Sequence, residues 1–156
     1  MRDSTEEDSI DFFLCITRYA RLCSRVKCLL YTATAYTSPP HAFLSIVHEL
    51  DGCVESWYEL VPSSLKIEMP VSIAKLPRGR KFIQAVTLHS SYKYLVCSIH
   101  CRLTRQVCWS RRFKNEQFQE SDLGRFERSV EAGVKAARSI ILLTRYVDVD
   151  NYTPSW

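Results

Sequence analysis

Hydrophobic residues recur along this chain at steps of three and four, the interval at which an α-helix returns a side chain to the same face. The pattern is strongest in the segment 81–109. Its apolar stripe consists of Ala85, Leu88, Tyr92, Leu95, Val96, Ile99 and Leu103. Because this stripe continues over several turns, it predicts a central buried helix. Tyr92 and His100 lie on or beside the stripe and bring polar groups into a mostly apolar contact.

Three other segments repeat with the same period and predict helices over about residues 5–36, 39–61 and 121–147. Proline ends a helix, so Pro39 and Pro40 separate the first two helices, and Ser38 is expected to cap the second. The apolar side of the last helix is expected to comprise Phe126, Val130, Val134, Ala137, Ile141 and Leu142. A strip of small residues beside it favours close approach of another helix. These small residues are Ala132, Gly133, Ala136 and Ala137.

The periodic pattern fails over residues 62–80, which contain three prolines and a basic Pro-Arg-Gly-Arg-Lys sequence. This segment is predicted to be a flexible connector. No segment alternates with period two for long enough to predict a strand. The fold class is therefore predicted to be all-α, a multi-helix array of about four long amphipathic helices.

Composition narrows the class of protein. The chain has 156 residues, of which 46% are hydrophobic and 24% charged, with a formal net charge of +4. These values are typical of one soluble globular domain. The acidic N-terminus lacks the features of a secretory signal, and no apolar run reaches the length of a membrane helix, so an intracellular protein without membrane contact is expected. The seven cysteines are expected to be reduced, buried small hydrophobes.

Three short motifs then follow one another in a fixed order. The first consists of Leu50, Trp57, Pro62 and Leu65, the second of Leu88, His89, Tyr92 and His100, and the third of Ser129, Ala136, Ala137, Arg138, Ile140 and Ile141. In order and spacing they resemble the middle homology region, the regulatory domain of fungal zinc-cluster transcription factors. Cys101 and Arg102 stand where that family usually has Arg-Pro, which predicts that the helix continues toward Trp109. Gly133 replaces the family's most frequent cysteine.

The resemblance implies a regulatory, non-catalytic nuclear protein that modulates transcription through effector or protein contacts. Its partners would be other transcription factor segments, coregulators or a small-molecule effector. The chain has no CxxC pair, so the DNA-binding cluster and its zinc are expected only in a missing N-terminal part. No cofactor and no direct nucleic-acid contact are expected here. Residues 1–156 would form a partial regulatory domain of a larger regulator, and exposed apolar helix faces would favour self-association.

Other interpretations of the same residues remain open. Cys97, His100, Cys101 and Cys108 have the spacing of soft metal ligands, although a cysteine-rich core helix is favoured. The four histidines lack any catalytic motif around them. Two basic runs, one at Lys75, Arg78, Arg80 and Lys81 and the other at Arg102, Arg105, Arg111, Arg112 and Lys114, are interpreted as solvated faces. Trp57, Tyr92 and His100 are the residues predicted to contact an effector or partner. The alternative function is a free-standing helical binding protein for a small apolar ligand or a partner helix.

Overall fold

The computed structural model describes residues 4–67, 79–109 and 120–147. Within these residues the chain forms α1 (Ser4–Leu30), α2 (Ala33–Thr37), α3 (Pro40–Glu59), a 3₁₀-helix (Ser63–Leu65), α4 (Arg80–Trp109) and α5 (Glu120–Thr144). No strand occurs in this part of the chain, so the all-α prediction is confirmed. No helix among the described residues combines the length and apolarity that crossing a membrane requires.

Helix α4 occupies the centre of the fold, as its long stripe predicts. It contacts α1, α3 and α5, and it packs against the 3₁₀-helix as well. Leu88, Leu95 and Ile99 on α4 are at most 1% exposed. Leu95 and Ile99 cluster with Leu50 and Val54 of α3, whereas Leu88 clusters with Trp57 of α3 and Cys15 of α1. Each such side chain contributes about 1.5–3 kcal/mol when it leaves water.

The prediction of one helix over about residues 5–36 is wrong in its C-terminal part, because α1 ends at Leu30 and a separate helix, α2, begins at Ala33. Thr32 has an extended backbone, with φ −90° and ψ 162°. The Leu30 carbonyl instead accepts a hydrogen bond of 2.8 Å from the buried Arg102 Nε, and the Tyr31 hydroxyl donates to the Ser98 carbonyl at 2.8 Å. These two tertiary bonds hold the end of α1 on α4, where a continued helix would have no such anchor.

Two local expectations around the next helices are also corrected. Ser38 does not cap α3, because its hydroxyl donates to the Thr34 carbonyl and Pro39 takes the capping position. Helix α3 ends at Glu59, and the chain then turns through the 3₁₀-helix. There Leu65 and Ile67 are buried. The rest of the predicted flexible connector, residues 68–78, lies outside the described residues, and its flexibility stays a prediction.

Helix α5 is placed by its small and polar residues rather than by the apolar side predicted for it. Of that predicted side, four members are exposed at 36–65%: Val130, Val134, Ile141 and Leu142. The face that packs on α4 consists of Ser129, Gly133, Ala136, Ser139 and Leu143. Small side chains are favoured at this interface because they let the backbones of α4 and α5 approach closely. A Cβ added at Gly133 would lie 3.3 Å from the His100 Cβ, so the predicted small-residue strip is confirmed.

The cysteines are all free thiols, but the prediction that they are buried holds only for Cys15. Cys28, Cys101 and Cys108 are exposed, and the other three are partly buried. For the three cysteines of α4 the reason is geometric. This helix buries the stripe through Leu95 and Ile99, which leaves Cys97, Cys101 and Cys108 on the other side of the helix.

Candidate functional site

The candidate site is a cleft of about 820 Å³ formed by three helices. Helix α4 provides its floor, α3 provides one wall and α5 provides the other. Tyr92, Val96 and His100 lie on the floor, spaced at four residues so that they share one helix face. The structure therefore brings two of the three predicted contact residues, Tyr92 and His100, into one cleft.

His100 joins the two walls at the bottom of the cleft. Its Nδ1 lies 2.7 Å from the Ser129 hydroxyl of α5, and its Nε2 lies 3.3 Å from Asp51 Oδ1 of α3. A carboxylate only accepts hydrogen bonds, so a neutral ring would carry its proton on Nε2 and accept from Ser129 at Nδ1. One buried side chain thus couples the positions of all three helices.

His89 makes a second cross-link of the same kind deeper in the fold. Its ring nitrogens lie 3.0 Å from the Tyr58 hydroxyl of α3 and 3.1 Å from the Ser139 hydroxyl of α5. Burial, with a smaller contribution from the positive charge of Lys93, lowers the pKa of His89 from 6.5 to about 4. Burial likewise raises the pKa of Tyr58 to about 12. Both groups are therefore neutral near pH 7, as a buried polar network requires.

The two cross-links define how the three helices run. His89 and His100 are three helical turns apart on α4. His89 pairs with Ser139 of α5 and Tyr58 of α3, whereas His100 pairs with Ser129 and Asp51. Residue numbers on α3 and α5 therefore fall as those on α4 rise. Both α3 and α5 are therefore antiparallel to α4. This arrangement places polar contacts at two levels on both sides of α4, toward α3 and toward α5.

Aromatic stacking fixes the floor of the cleft at its Tyr92 end. The Tyr92 ring stacks on Tyr58 with centroids 4.2 Å apart and planes inclined by 11°. The ammonium of Lys93 lies 4.6 Å from the centre of the Tyr92 ring, a cation–π contact. Burial raises the pKa of Tyr92, and the nearby carboxylates of Glu55 and Asp51 raise it further. Tyr92 is thus held rigidly between a basic and an acidic neighbour.

Trp57, the third predicted contact residue, lies outside this cleft. It is 4% exposed, and its indole N–H donates to the Cys15 carbonyl at 3.0 Å. Its ring packs against Tyr19, and its edge reaches a separate depression of about 600 Å³ between α1 and α3. Trp57 therefore ties α3 to α1. Binding of an effector by Trp57, Tyr92 or His100 stays a prediction.

The walls of the cleft carry charges that the sequence analysis did not single out. On α5 these are Arg125, Arg128 and Lys135, all exposed, and on α3 they are Asp51 and Glu55. Helical spacing alone places the three α5 cations on one stripe together with Ala132. A sequence signal for the basic wall therefore existed, but only the packing of α5 shows that this stripe faces α3.

The other sequence interpretations are resolved in part. Cys97 and Cys101 have their sulfur atoms 3.7 Å apart, whereas His100 points into the cleft toward Asp51. Within residues 4–67, 79–109 and 120–147, no three His, Cys, Asp or Glu side chains come together as a metal site would require. Arg102 is not part of a solvated basic face, since it is 2% exposed and its guanidinium lies over Phe43. His41 and most of the two basic runs fall outside the described side chains.

Helix α4 continues to Trp109 without a turn after His100, as the absence of proline there predicts. Arg102 and Leu103 follow within the same helix and are buried, at 2% exposure each. A proline at position 102 would remove both the helical geometry and the guanidinium that binds the end of α1.

Comparison with known proteins points to fungal transcription factors. The chain is 26% identical over 157 residues to an ABC-transporter-regulating transcription factor of Aspergillus oryzae, and 25% identical over 157 residues to a protein of the same name in Aspergillus fumigatus. Each alignment covers 98% of this chain and 17% of the relative, so the chain spans about a sixth of the length of these curated relatives. No family model and no solved structure matches the chain. The finer resemblance to the middle homology region therefore stays a prediction.

Proposed function

We propose that this chain is a non-catalytic regulatory segment of a fungal zinc-cluster transcription factor and that it works in the nucleus. The similarity to two transcription factors along 98% of the chain supports this proposal. DNA and zinc would be bound by another part of the parent protein, because this sequence contains no CxxC pair. The chain itself would control activity through contacts with coregulators, an effector or other segments of the parent.

The observation that carries the proposal is the meeting of two separate sequence motifs at one contact. His100 belongs to the central helix motif and Ser129 to the motif of α5, and their side chains lie 2.7 Å apart at the base of the cleft. Ala136, another position of the α5 motif, is fully buried beside them. Residues of two of the three motifs, Tyr92 and His100 on α4 and Ser129 and Ala136 on α5, thus line the same cleft.

The mechanism would be a shift between two packings of α5 on α4. The interface contains two small polar cross-links and a close backbone contact at Gly133, beside the apolar contacts of Leu143 and Phe126. A partner in the cleft touches α3 and α5 together, so it stabilises one packing over the other in proportion to its difference in affinity. That difference would reach the rest of the transcription factor through the ends of α5.

A reporter assay in a fungal host tests this function. The chain is inserted between a heterologous DNA-binding domain and a constitutive activation segment, and reporter output is compared with a fusion that lacks it. Insertion should change the output, and His100→Gln should alter that change because it removes the link between α3 and α5.

Arg105→Gln is the control for this assay. Arg105 is exposed on the same helix as His100 and does not line the cleft. This variant should behave as the unmodified chain does. Equal reporter output with and without the inserted chain, at equal protein levels on an immunoblot, would contradict the proposed function.

A further inference from the structure

We propose that the cleft between α3 and α5 is a docking groove for an amphipathic helix of a partner protein, whose acidic edge lies against α5. This inference rests on the proposed regulatory function and specifies the partner. Three observations support it: the shape of the cleft, the apolar residues in its lining and the unequal charge of its two walls.

The dimensions of the groove match a short helix. Its floor extends from Tyr92 to Leu103 on α4. At about 1.5 Å per residue this floor is about 17 Å long, or about three helical turns. The walls run alongside the floor, since α3 and α5 are both antiparallel to α4. A helix laid in this groove would therefore contact three helices along its length.

The lining of the groove also includes apolar residues. They are Leu44, Val47, Val96, Leu103, Ala132 and Ala136. Of these, Val96 and Ala132 are partly exposed and available to an occupant. A helix that binds such a mixed lining presents apolar side chains at steps of three, four and seven residues, with polar residues along both edges. The lining therefore favours an amphipathic helix over a fully polar segment.

Charge sets which edge of the partner faces which wall. The cleft is lined by four cations, Lys93, Arg125, Arg128 and Lys135, against two carboxylates, Asp51 and Glu55. Asp51 is already engaged by His100. In the described part of the chain, no carboxylate lies within ion-pair distance of the three α5 cations. The α5 wall is therefore complementary to acidic side chains.

The cations of the two neighbouring helices also repel one another. Burial lowers the pKa of Lys93, and the positive charge of Lys135 lowers it further. Acidic side chains placed between them would relieve this repulsion, which is a gain that only an occupant can supply. A nucleic acid is a poorer occupant, because its phosphates would face Asp51 and Glu55 on the opposite wall.

The test uses the 156-residue chain and a synthetic probe. The probe is a fluorescein-labelled peptide of about 14 residues, or about four helical turns, with leucines on one face and glutamates along one edge. Its controls are a scrambled peptide of the same composition and a peptide with lysine in place of each glutamate. Binding is measured by fluorescence anisotropy, with circular dichroism to show that every protein variant keeps its helix content.

The decisive comparison uses two triple variants with the same change in charge. Arg125→Glu, Arg128→Glu and Lys135→Glu together should weaken binding of the acidic peptide by about tenfold or more, since they reverse the complementary wall. The control triple is Arg18→Glu, Arg21→Glu and Lys27→Glu on α1, all exposed and outside the cleft. It should weaken binding far less. Added salt should weaken binding to the unmodified chain.

Four results would overturn the proposal. They are equal binding of the scrambled and the designed peptide, equal weakening by the control triple and the α5 triple, tighter binding of duplex DNA than of the peptide through the α5 wall, and absence of binding by the acidic peptide. Any one of them would show that the groove is not a docking site for an acidic helix. Because the reporter assay uses His100→Gln and not the α5 wall, a failure here leaves the regulatory function standing and can be told apart from its failure.

Discussion

The burial of His89 predicts that the stability of this protein depends on pH in the range between about 4 and 6.5. The pKa of this histidine is lowered from 6.5 to about 4 in the folded state, first by burial and second by Lys93. Between these two values the unfolded chain binds a proton that the folded protein does not, so the free energy of unfolding rises with pH. The contribution is fully present above pH 6.5 and is lost as the pH falls toward 4.

The size of this effect follows from the gap between the two pKa values. A gap from 6.5 to about 4, at about 1.4 kcal/mol per pH unit, corresponds to about 3 kcal/mol. That is a large part of the roughly 5–15 kcal/mol by which a domain of this size is stable. Protonated His89 could still donate to the Tyr58 and Ser139 hydroxyls, so the loss of stability would come from placing a positive charge in a buried site beside Lys93.

Urea unfolding followed by circular dichroism at a series of pH values measures the effect. The unmodified chain is compared with His89→Gln, which removes the titrating group, and with His48→Gln, which removes an exposed histidine instead. Carboxylates titrate in all three proteins, so the difference in slope between about pH 4 and 6.5 isolates His89. The slope should decrease in His89→Gln and should persist in His48→Gln. An unchanged slope in His89→Gln, or an NMR titration of the His89 ring near pH 6.5, would refute this account.

Two further predictions concern stability and use urea midpoints as the measurement. Gly133→Val should cost about 1–3 kcal/mol, because its side chain has no room between α5 and α4. Gly124→Ala in the same helix has open space and should stabilise by about 0.5–1 kcal/mol; a loss at both sites would contradict the close-approach argument. Arg102→Met should cost about 1–3 kcal/mol, since the Leu30 carbonyl loses its hydrogen-bond donor. Its exposed neighbour Arg105→Met should change stability by less than about 0.5 kcal/mol, and equal losses for the two arginines would show that Arg102 is not a structural anchor.

The long helices were predictable because their signal is local. The stripe through Leu88, Leu95 and Ile99 predicts a buried helix over 81–109, and α4 spans Arg80–Trp109. The same periodicity located α3 and α5 to within a few residues at each end. An extended break at Thr32 was not predictable in this way, since the interactions that favour it come from Ser98 and Arg102, far away in the sequence.

The candidate site was predicted only in part, for a related reason. Tyr92 and His100 carry polar groups on an apolar stripe, which is why they were predicted to contact an effector or partner; both lie in the cleft, and the contact itself stays a prediction. Trp57 carried the same kind of signal, yet its indole bonds to Cys15 and not to an occupant of the cleft. Arg128 looked like an ordinary exposed base, because nothing within one helix shows which other helix its face will meet.

The sequence by itself determined the all-α type and the approximate extent of the four long helices, because hydrophobic period and proline placement act over neighbouring residues. Tertiary structure alone decided which face of α5 is buried. Backbone approach at Gly133 and two histidine–serine bonds favoured the small polar face over the apolar one. That choice turned Arg125, Arg128 and Lys135 toward α3 and created the cleft. A side chain's partners depend on packing between distant segments, which periodicity along one segment does not contain.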